Sequence, residues 1–117
     1  MNYTIDASVF VSASREQEEN FSISREFVRQ FENQTHSKFC PTLILAECAA
    51  AIARASNDPN AAQELITLLE NMAGLHLVAL DVSLAQRAAR IAIEHRLRGA
   101  DSVYTAVAQL LDATLIT

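Results

Sequence analysis

Three acidic side chains lie in stretches of sequence where a charge is unexpected. Asp6 interrupts the apolar stretch NYTIDASVFV, and Glu47 lies within LILAECAAAIARA, where Arg54 is the only other charged residue. Asp101 lies in RGADSVYTAVA, at the predicted start of a helix. A buried carboxylate is costly unless a charged or donating group meets it. Mg²⁺ is one such group, because it takes one or two carboxylates together with waters and substrate phosphate. The three acids are therefore candidate ligands of a metal centre.

Each of these acids also has a purely structural interpretation. Asp6 could cap a helix or stand in a turn, and Asp101 could cap the helix that it opens, because Asp is a favoured capping residue. Glu47 could pair with Arg54, which lies seven residues later on roughly the same face of a helix. The residues taken singly leave both interpretations open.

Other chemistries lack their motifs in this sequence. There is no GxxxxGK[ST] loop, which excludes an ATPase of the P-loop kind, and no GxSxG nucleophile elbow. The histidines at 36, 76 and 95 do not have the spacing of zinc ligands. Cys40 and Cys48 do not form a CxxC pair, and we expect them to be buried, reduced thiols.

The elements that would position the acids alternate between strand and helix. The predicted order is a strand over Asn2–Val11, a helix-prone segment from Arg15 to Phe31, a strand over Ser37–Cys40, helices over Leu43–Ala55 and Ala61–Ala73, a strand over Leu75–Leu80, a helix capped by Asp81 and Ser83 that runs to about Leu97, a helix from Asp101 to Leu111, and a strand over Ala113–Thr117. This alternation predicts an α/β fold with right-handed crossovers and a central parallel sheet.

Two further features bear on the position of the acids. The segment Leu43–Ala55 is apolar nearly all round, which predicts a buried helix, and Thr42 is a plausible cap for it. Gly74 fits a left-handed position after the next helix. Ligand sites in open parallel sheets gather beyond the carboxyl ends of the strands, and Asp6 stands where the first strand should be ending.

The composition predicts one domain over residues 1–117, since half of the residues are hydrophobic and no linker or repeat is present. The formal charge of −5 disfavours non-specific binding to a polyanion, so any nucleic-acid contact must be local. Arginines at 87, 90, 96 and 98 could form a basic rim, in which Arg96 and Arg98, next to Asp101, would contact phosphate if the protein binds RNA; the alternative is a solvated helix face. We expect a cytoplasmic protein with no membrane association, because no signal peptide or long apolar run is evident.

The stretches YTIDASVFV, LILAECAAAIAR and RGADSVYTAVAQLLDATLIT together resemble PIN domains, and in particular the VapC toxins of toxin–antitoxin pairs. The resemblance implies a three-layer α/β/α fold and a Mg²⁺- or Mn²⁺-dependent endoribonuclease. Asp6, Glu47 and Asp101 match the catalytic, metal-binding acids of this family, and Ser8 matches a supporting hydroxyl residue. The resemblance further implies an RNA substrate, often tRNA, a homodimer, and a cognate antitoxin whose tail covers the acidic cleft.

The sequence departs from this family pattern at its end. The family normally continues past the strand that LIT represents, with a further acid and another strand, whereas this sequence stops at Thr117. A fold shortened at its C-terminus, without the fourth acid, is therefore expected. Asp112 precedes the strand and is better interpreted as a turn residue.

Two other functions remain to be weighed against the nuclease. A catalytically incomplete PIN-fold module could bind an antitoxin or RNA, which the missing acid and the negative charge favour. A phospho-receiver would suit the length and the alternating pattern, but it should show paired acids after the first strand and a late Lys, and Lys38 is the chain's only Lys. A homodimer is also favoured by the apolar faces of Phe21–Phe31 and Ala61–Met72, which exceed what one small core can hide.

Overall fold

A central parallel sheet organises the chain. The computed structural model describes residues 1–32 and 36–117, without the side chains of residues 31 and 32. The elements are β1 (Asn2–Ile5), α1 (Ala7–Ser14), α2 (Phe21–Glu32), β2 (Ser37–Pro41), α3 (Leu43–Ser56), α4 (Pro59–Asn71), β3 (Leu75–Val78), α5 (Val82–His95), α6 (Gly99–Leu110) and β4 (Thr114–Ile116). The four strands lie in the order β3-β2-β1-β4, and every neighbouring pair is parallel. The expected α/β fold with a parallel sheet is confirmed.

The order of the strands fixes where a ligand site can form. The chain moves outward from β1 through β2 to β3, and then returns to add β4 on the other side of β1. The direction of strand addition therefore reverses at β1. In open sheets of this kind, ligands bind beyond the carboxyl ends of the strands at such a reversal. Residues that follow β1, starting with Asp6, stand at this position.

Helices cover both faces of the sheet in a three-layer α/β/α arrangement. Consecutive residues of β2 show this, because Cys40 belongs to one hydrophobic cluster while Phe39 packs against the other. The first cluster is built largely from α1, α3 and α4, and the second from α5 and α6. Within the described residues, no helix has the length and apolar character needed to cross a bilayer.

The first strand is shorter than the sequence predicts. β1 ends at Ile5, and the apolar residues Val9 and Phe10 belong to α1. Ala7, Phe10 and Ala13 are buried at intervals of three residues, which is the spacing of one helix face. A short apolar run fits a strand and a buried helix equally well, so the pattern alone could not separate them. The predicted strand over Asn2–Val11 was therefore wrong beyond Ile5.

The predicted helix ends were correct in part. Asp81 caps α5 by accepting a hydrogen bond from the Leu84 N–H at 2.8 Å, as expected. Gly74 has the expected positive φ, 77°, but it does not cap α4, which ends at Asn71 with an extended C-cap at Met72. Thr42 precedes α3, but its hydroxyl does not cap the helix and instead accepts from the Leu80 N–H at 3.2 Å. The polar stretch 15–20 forms turns, and α2 begins only at Phe21.

Candidate metal centre

One cleft of about 670 Å³ contains all three acids singled out from the sequence. Asp6 contributes to it from the end of β1, Glu47 from α3, and Asp101 from the first turn of α6. Residues from α1 form another part of the wall. Acids separated by 41 and 54 residues in sequence thus face one space beyond the carboxyl end of β1.

The wall formed by α3 corrects the prediction of a fully buried helix. Ile44, Cys48 and Ile52 are buried along one face. The cleft is lined by alanines of the same helix, at positions 46, 50 and 51, together with Glu47. Alanine gains little from burial, so an apolar pattern made mostly of alanine does not require a helix to be covered on every side. Its small side chains leave room in front of Glu47.

Asp6 occupies the N-cap position of α1, but its side chain makes no capping hydrogen bond. Its Oδ2 instead accepts a hydrogen bond from the Ser8 hydroxyl at 2.9 Å. The Asp6 backbone N–H donates to the carbonyl of Ile116 at 2.9 Å, which ties this corner to the end of β4. The capping interpretation is therefore correct for the backbone position of Asp6 and wrong for its carboxylate.

Glu47 accepts a hydrogen bond from a residue that the sequence analysis did not single out. The Tyr104 hydroxyl donates to Glu47 Oε1 at 2.6 Å. Burial, together with this hydrogen bond, raises the pKa of Tyr104, so the phenol remains a donor. Among the described side chains, Arg54 forms no ion pair with Glu47, although both line the cleft. The predicted alternative of a Glu47–Arg54 pair is therefore wrong.

Asp101 is the third residue of α6 and not its cap, because the N-cap position belongs to Arg98. Its Oδ2 accepts from Arg98 Nε at 3.0 Å, an ion pair in which the Arg98 side chain is 88 % exposed. The hydrogen bond raises the pKa of Arg98, which remains charged. An acid in the first turn also interacts favourably with the helix dipole. The ion pair with Arg98 and the dipole of α6 thus both stabilise the Asp101 carboxylate at the cleft.

The oxygen donors in the cleft suit a hard divalent cation. Three carboxylates face one space, and Mg²⁺ takes one or two carboxylates and completes its shell with water and phosphate. In the described part of the chain, no three Asp, Glu, His or Cys side chains converge closely enough to hold an ion together. Each acid is instead held by a different neighbour, namely Ser8, Tyr104 or Arg98. The type of the donors, carboxylate oxygens, therefore fits Mg²⁺ or Mn²⁺, whereas their spacing leaves most of the ion's shell to water.

The comparisons with known proteins identify the family. The PIN domain model matches residues 3–117. The chain belongs to the PIN domain family. Among curated proteins, no sequence matches this PIN domain. Solved structures resemble it in fold at low sequence identity.

Three of these structures are of toxins or toxin–antitoxin complexes. Mycobacterium tuberculosis VapC20, described as a sarcin-ricin loop cleaving toxin, has a TM-score of 0.80 and 12 % identity over 95 % of this chain and 84 % of its own. VapBC2 from Rickettsia felis, bound to a DNA fragment from its promoter, has a TM-score of 0.68 and 16 % identity over 100 % and 87 %. A toxin–antitoxin complex from Klebsiella pneumoniae has a TM-score of 0.66 and 17 % identity over 98 % and 84 %.

The basic residues of this PIN domain are distributed differently from the predicted rim. Of the four arginines between positions 87 and 98, only Arg98 is among the described residues that line the cleft. Arg96 is exposed just after α5, and it has a positive φ of 54°. Arg54 and Glu18 also line the cleft; the sequence suggested only an ion pair with Glu47 for Arg54 and no role for Glu18. The positive charge beside the acids therefore comes from α3 and from the start of α6.

The two cysteines lie behind this wall of the PIN domain and not in the cleft. Cys40 and Cys48 are free, and both are fully buried. Burial is the main cause that raises the pKa of Cys40 to about 11 and that of Cys48 to about 12. The expectation of buried, reduced thiols is confirmed. They contribute packing and no nucleophile to the site.

Proposed function

We propose that this PIN domain is a Mg²⁺- or Mn²⁺-dependent endoribonuclease and the toxin component of a toxin–antitoxin pair. The observation that carries the proposal is that Asp6, Glu47 and Asp101, distant in sequence, line one cleft beside the reversal of the sheet. The fold of a toxin that cleaves the sarcin-ricin loop, and the folds of two toxin–antitoxin complexes, support the class of activity.

In this proposal one or two of the three acids would bind the divalent cation directly, and the remaining acid would reach it through bound water. When bound, such a cation orients the scissile phosphate, activates a water and offsets charge on the leaving oxygen. Ser8 donates to one oxygen of Asp6, whose side chain also lines the cleft. Cationic side chains beside the acids, Arg98 and Arg54, would meet the phosphates that flank the cleaved bond.

The charge distribution limits how RNA can bind. With a net charge of −5, the molecule as a whole repels a polyanion, so affinity must come from arginines close to the cleft and from the metal. We propose RNA, with tRNA as one candidate, as the substrate class. We also propose an antitoxin protein that covers the cleft, and a homodimer as the assembled form.

A second function is favoured by a specific observation. No three acids in the described chain stand close enough to share an ion, and each already has a hydrogen-bond partner. A catalytically incomplete PIN-fold module that binds an antitoxin or RNA without cleaving it would need no metal. Cleavage, and not binding, therefore discriminates between the two functions.

The test is an assay of RNA cleavage with Mg²⁺, with Mn²⁺ and with a chelator, using bulk tRNA and ribosomal RNA. We expect cleavage that requires the divalent cation. The D6N variant should lose about 100-fold or more of the activity, because losing even a group that only orients a ligand costs about 10- to 100-fold.

The matched control is D112N, which makes the same chemical change outside the cleft lining. Asp112 has a φ of 48°, a conformation that Asn adopts readily, so this variant should fold and cleave normally. Metal-independent RNA binding with no cleavage by the wild type would favour the incomplete module.

A further inference from the structure

The hydroxyl of Tyr104 makes a contact that the proposed nuclease reaction does not by itself explain. We propose that Tyr104 is a positioning residue, which fixes the Glu47 carboxylate relative to Asp101 so that both can serve one divalent cation. This inference rests on the proposed metal-dependent function and assigns a role to a residue outside the three acids.

The geometry of the contact supports positioning. Tyr104 is 2 % exposed, and its ring packs in the same hydrophobic cluster as Cys48, the neighbour of Glu47. Its hydroxyl stands 2.6 Å from Glu47 Oε1, a short hydrogen bond to a carboxylate. Close packing restricts the rotamers of a buried ring, so the core largely sets the position of the donor. Glu47 at the same time lines the cleft.

Tyr104 and Asp101 belong to the same helix. Tyr104 follows Asp101 by three residues in α6, so the two side chains lie on neighbouring turns of one helix. The helices α3 and α6 pack mainly against other elements and not against each other. The hydrogen bond from Tyr104 to Glu47 is therefore a direct side-chain link between the helix that carries Glu47 and the helix that carries Asp101.

The hydrogen bond would order the Glu47 side chain before a metal ion binds, so that less conformational entropy is lost on binding. A glutamate has three rotatable side-chain bonds and loses much rotamer freedom when it is fixed. A carboxylate that is already held loses less on binding, and preorganisation of this kind increases affinity. Replacement of Tyr104 by Phe keeps the ring and removes only the donor, so Glu47 would regain alternative rotamers.

The test is a calorimetric titration of Mn²⁺ into the wild type and into the Y104F and Y3F variants. We expect Y104F to bind Mn²⁺ about 10-fold more weakly, the usual cost of removing a group that orients a ligand. Tyr3 is the only other tyrosine of the chain, and Y3F removes a phenol hydroxyl that contacts Met1 and not the cleft. Y3F should bind Mn²⁺ as the wild type does.

A double-mutant cycle separates positioning from a general structural effect. If Tyr104 acts through Glu47, then Y104F should change the Mn²⁺ affinity of the E47A variant, which has no acceptor at this position, by less than about twofold. Equal weakening in the wild-type and E47A backgrounds would overturn the inference, because it would show an effect that bypasses Glu47. Equal Mn²⁺ affinity of Y104F and the wild type would also overturn it, while leaving the metal site intact.

A second measurement leaves Tyr104 unchanged. The chain has no Trp, so in Y3F the near-ultraviolet absorbance of tyrosine comes from Tyr104 alone. Added Mg²⁺ should perturb this band saturably, because the cation draws charge from the carboxylate that the phenol contacts. If the tyrosine band does not change on addition of Mg²⁺ while calorimetry shows that the ion binds, the inference is contradicted. A wild type that binds neither ion overturns the proposed function, and the role of Tyr104 with it.

Discussion

Among single residues, Arg98 is the cation best placed to exchange one partner for another. Its guanidinium is 88 % exposed and paired with Asp101, so the pair is screened by water and contributes little to stability. If a metal ion takes the Asp101 carboxylate, the guanidinium becomes available to a phosphate at the same edge of the cleft. Arg96 lies two residues away but is not among the described residues of the cleft lining.

This difference between the two arginines gives a prediction about RNA affinity. R98A should weaken RNA binding and reduce the slope of log affinity against log salt by about 0.7, the loss of one phosphate contact on a single strand. R96A is the matched control and should change both quantities much less. The measurement is a binding titration at several salt concentrations with a D6N background to prevent cleavage. Equal effects of the two substitutions would show that both arginines act through long-range charge attraction and that Arg98 makes no specific phosphate contact.

The buried thiols give a prediction about pH. Since the fold raises the pKa of Cys40 from 9.0 to about 11, the stabilising effect of keeping this thiol neutral is complete below pH 9 and is lost as the pH rises toward 11. We therefore expect the free energy of unfolding, measured in urea, to decline over that range. The C40A/C48A variant should show a smaller decline. Native thiols that react at neutral pH as fast as unfolded ones would contradict the burial on which this prediction depends.

At the scale of elements, an Asp residue occupies the N-cap position of three of the described helices, α1, α4 and α5. Its side chain caps the helix in two of these three cases. Asp58 and Asp81 accept hydrogen bonds from backbone N–H groups at the starts of α4 and α5. Asp6 stands in the same position before α1, but its carboxylate is directed to Ser8 and the cleft. The Asp6 carboxylate therefore does not stabilise the start of α1. Its position in the cleft favours a role in ligand binding over a role in helix stability.

The contrast predicts different stability changes for similar substitutions. D81A should lower the free energy of unfolding by about 1 kcal/mol, the usual cost of losing a cap. D6A should change it by less than about 0.5 kcal/mol, because no cap is lost. Denaturant unfolding of the two variants in metal-free buffer measures both values. A larger loss for D6A than for D81A would show that Asp6 has a structural role.

The same elements show what the sequence could and could not predict. Alternation of strands and helices predicted the parallel sheet, because hydrophobic periodicity is local and strong over most of the chain. The end of β1 was missed, because VFV at positions 9–11 suits either a strand or a buried helix. Tyr104 was missed for a different reason. Its hydroxyl meets Glu47 only through the tertiary placement of α3 and α6, and 57 residues separate the two.

At the scale of the whole molecule, most of the apolar faces that suggested a dimer are occupied. Phe27 and Val28 pack against the core, and Leu65 and Leu69 are buried in it. The Phe31 side chain lies outside the described residues. A different surface remains open on α5, where Val82 and Ile93 are 73 % and 80 % exposed. The alanines at 85 and 89 are exposed between them, so the four form one stripe along the helix.

This stripe gives the homodimer prediction a specific test. We expect the wild type to sediment as a dimer at micromolar concentration, and I93E to sediment as a monomer, because a charge would be buried in the interface. Ile23 on α2 is 75 % exposed and supplies the matched control, so I23E should remain dimeric. A wild type that is monomeric contradicts the dimer. Loss of the dimer only in I23E would place the interface on α2.

The central claim is that the cleft lined by Asp6, Glu47 and Asp101 binds a divalent cation. The most direct test is an anomalous difference map from a crystal grown or soaked with Mn²⁺, because the anomalous signal locates the ion independently of any assumed ligand. We predict a peak between the three carboxylates, in contact with at least one of them and completed by water, and no such peak in D6N/D101N crystals treated identically. A peak only elsewhere on the molecule, or an undiminished peak in the double variant, would contradict the account.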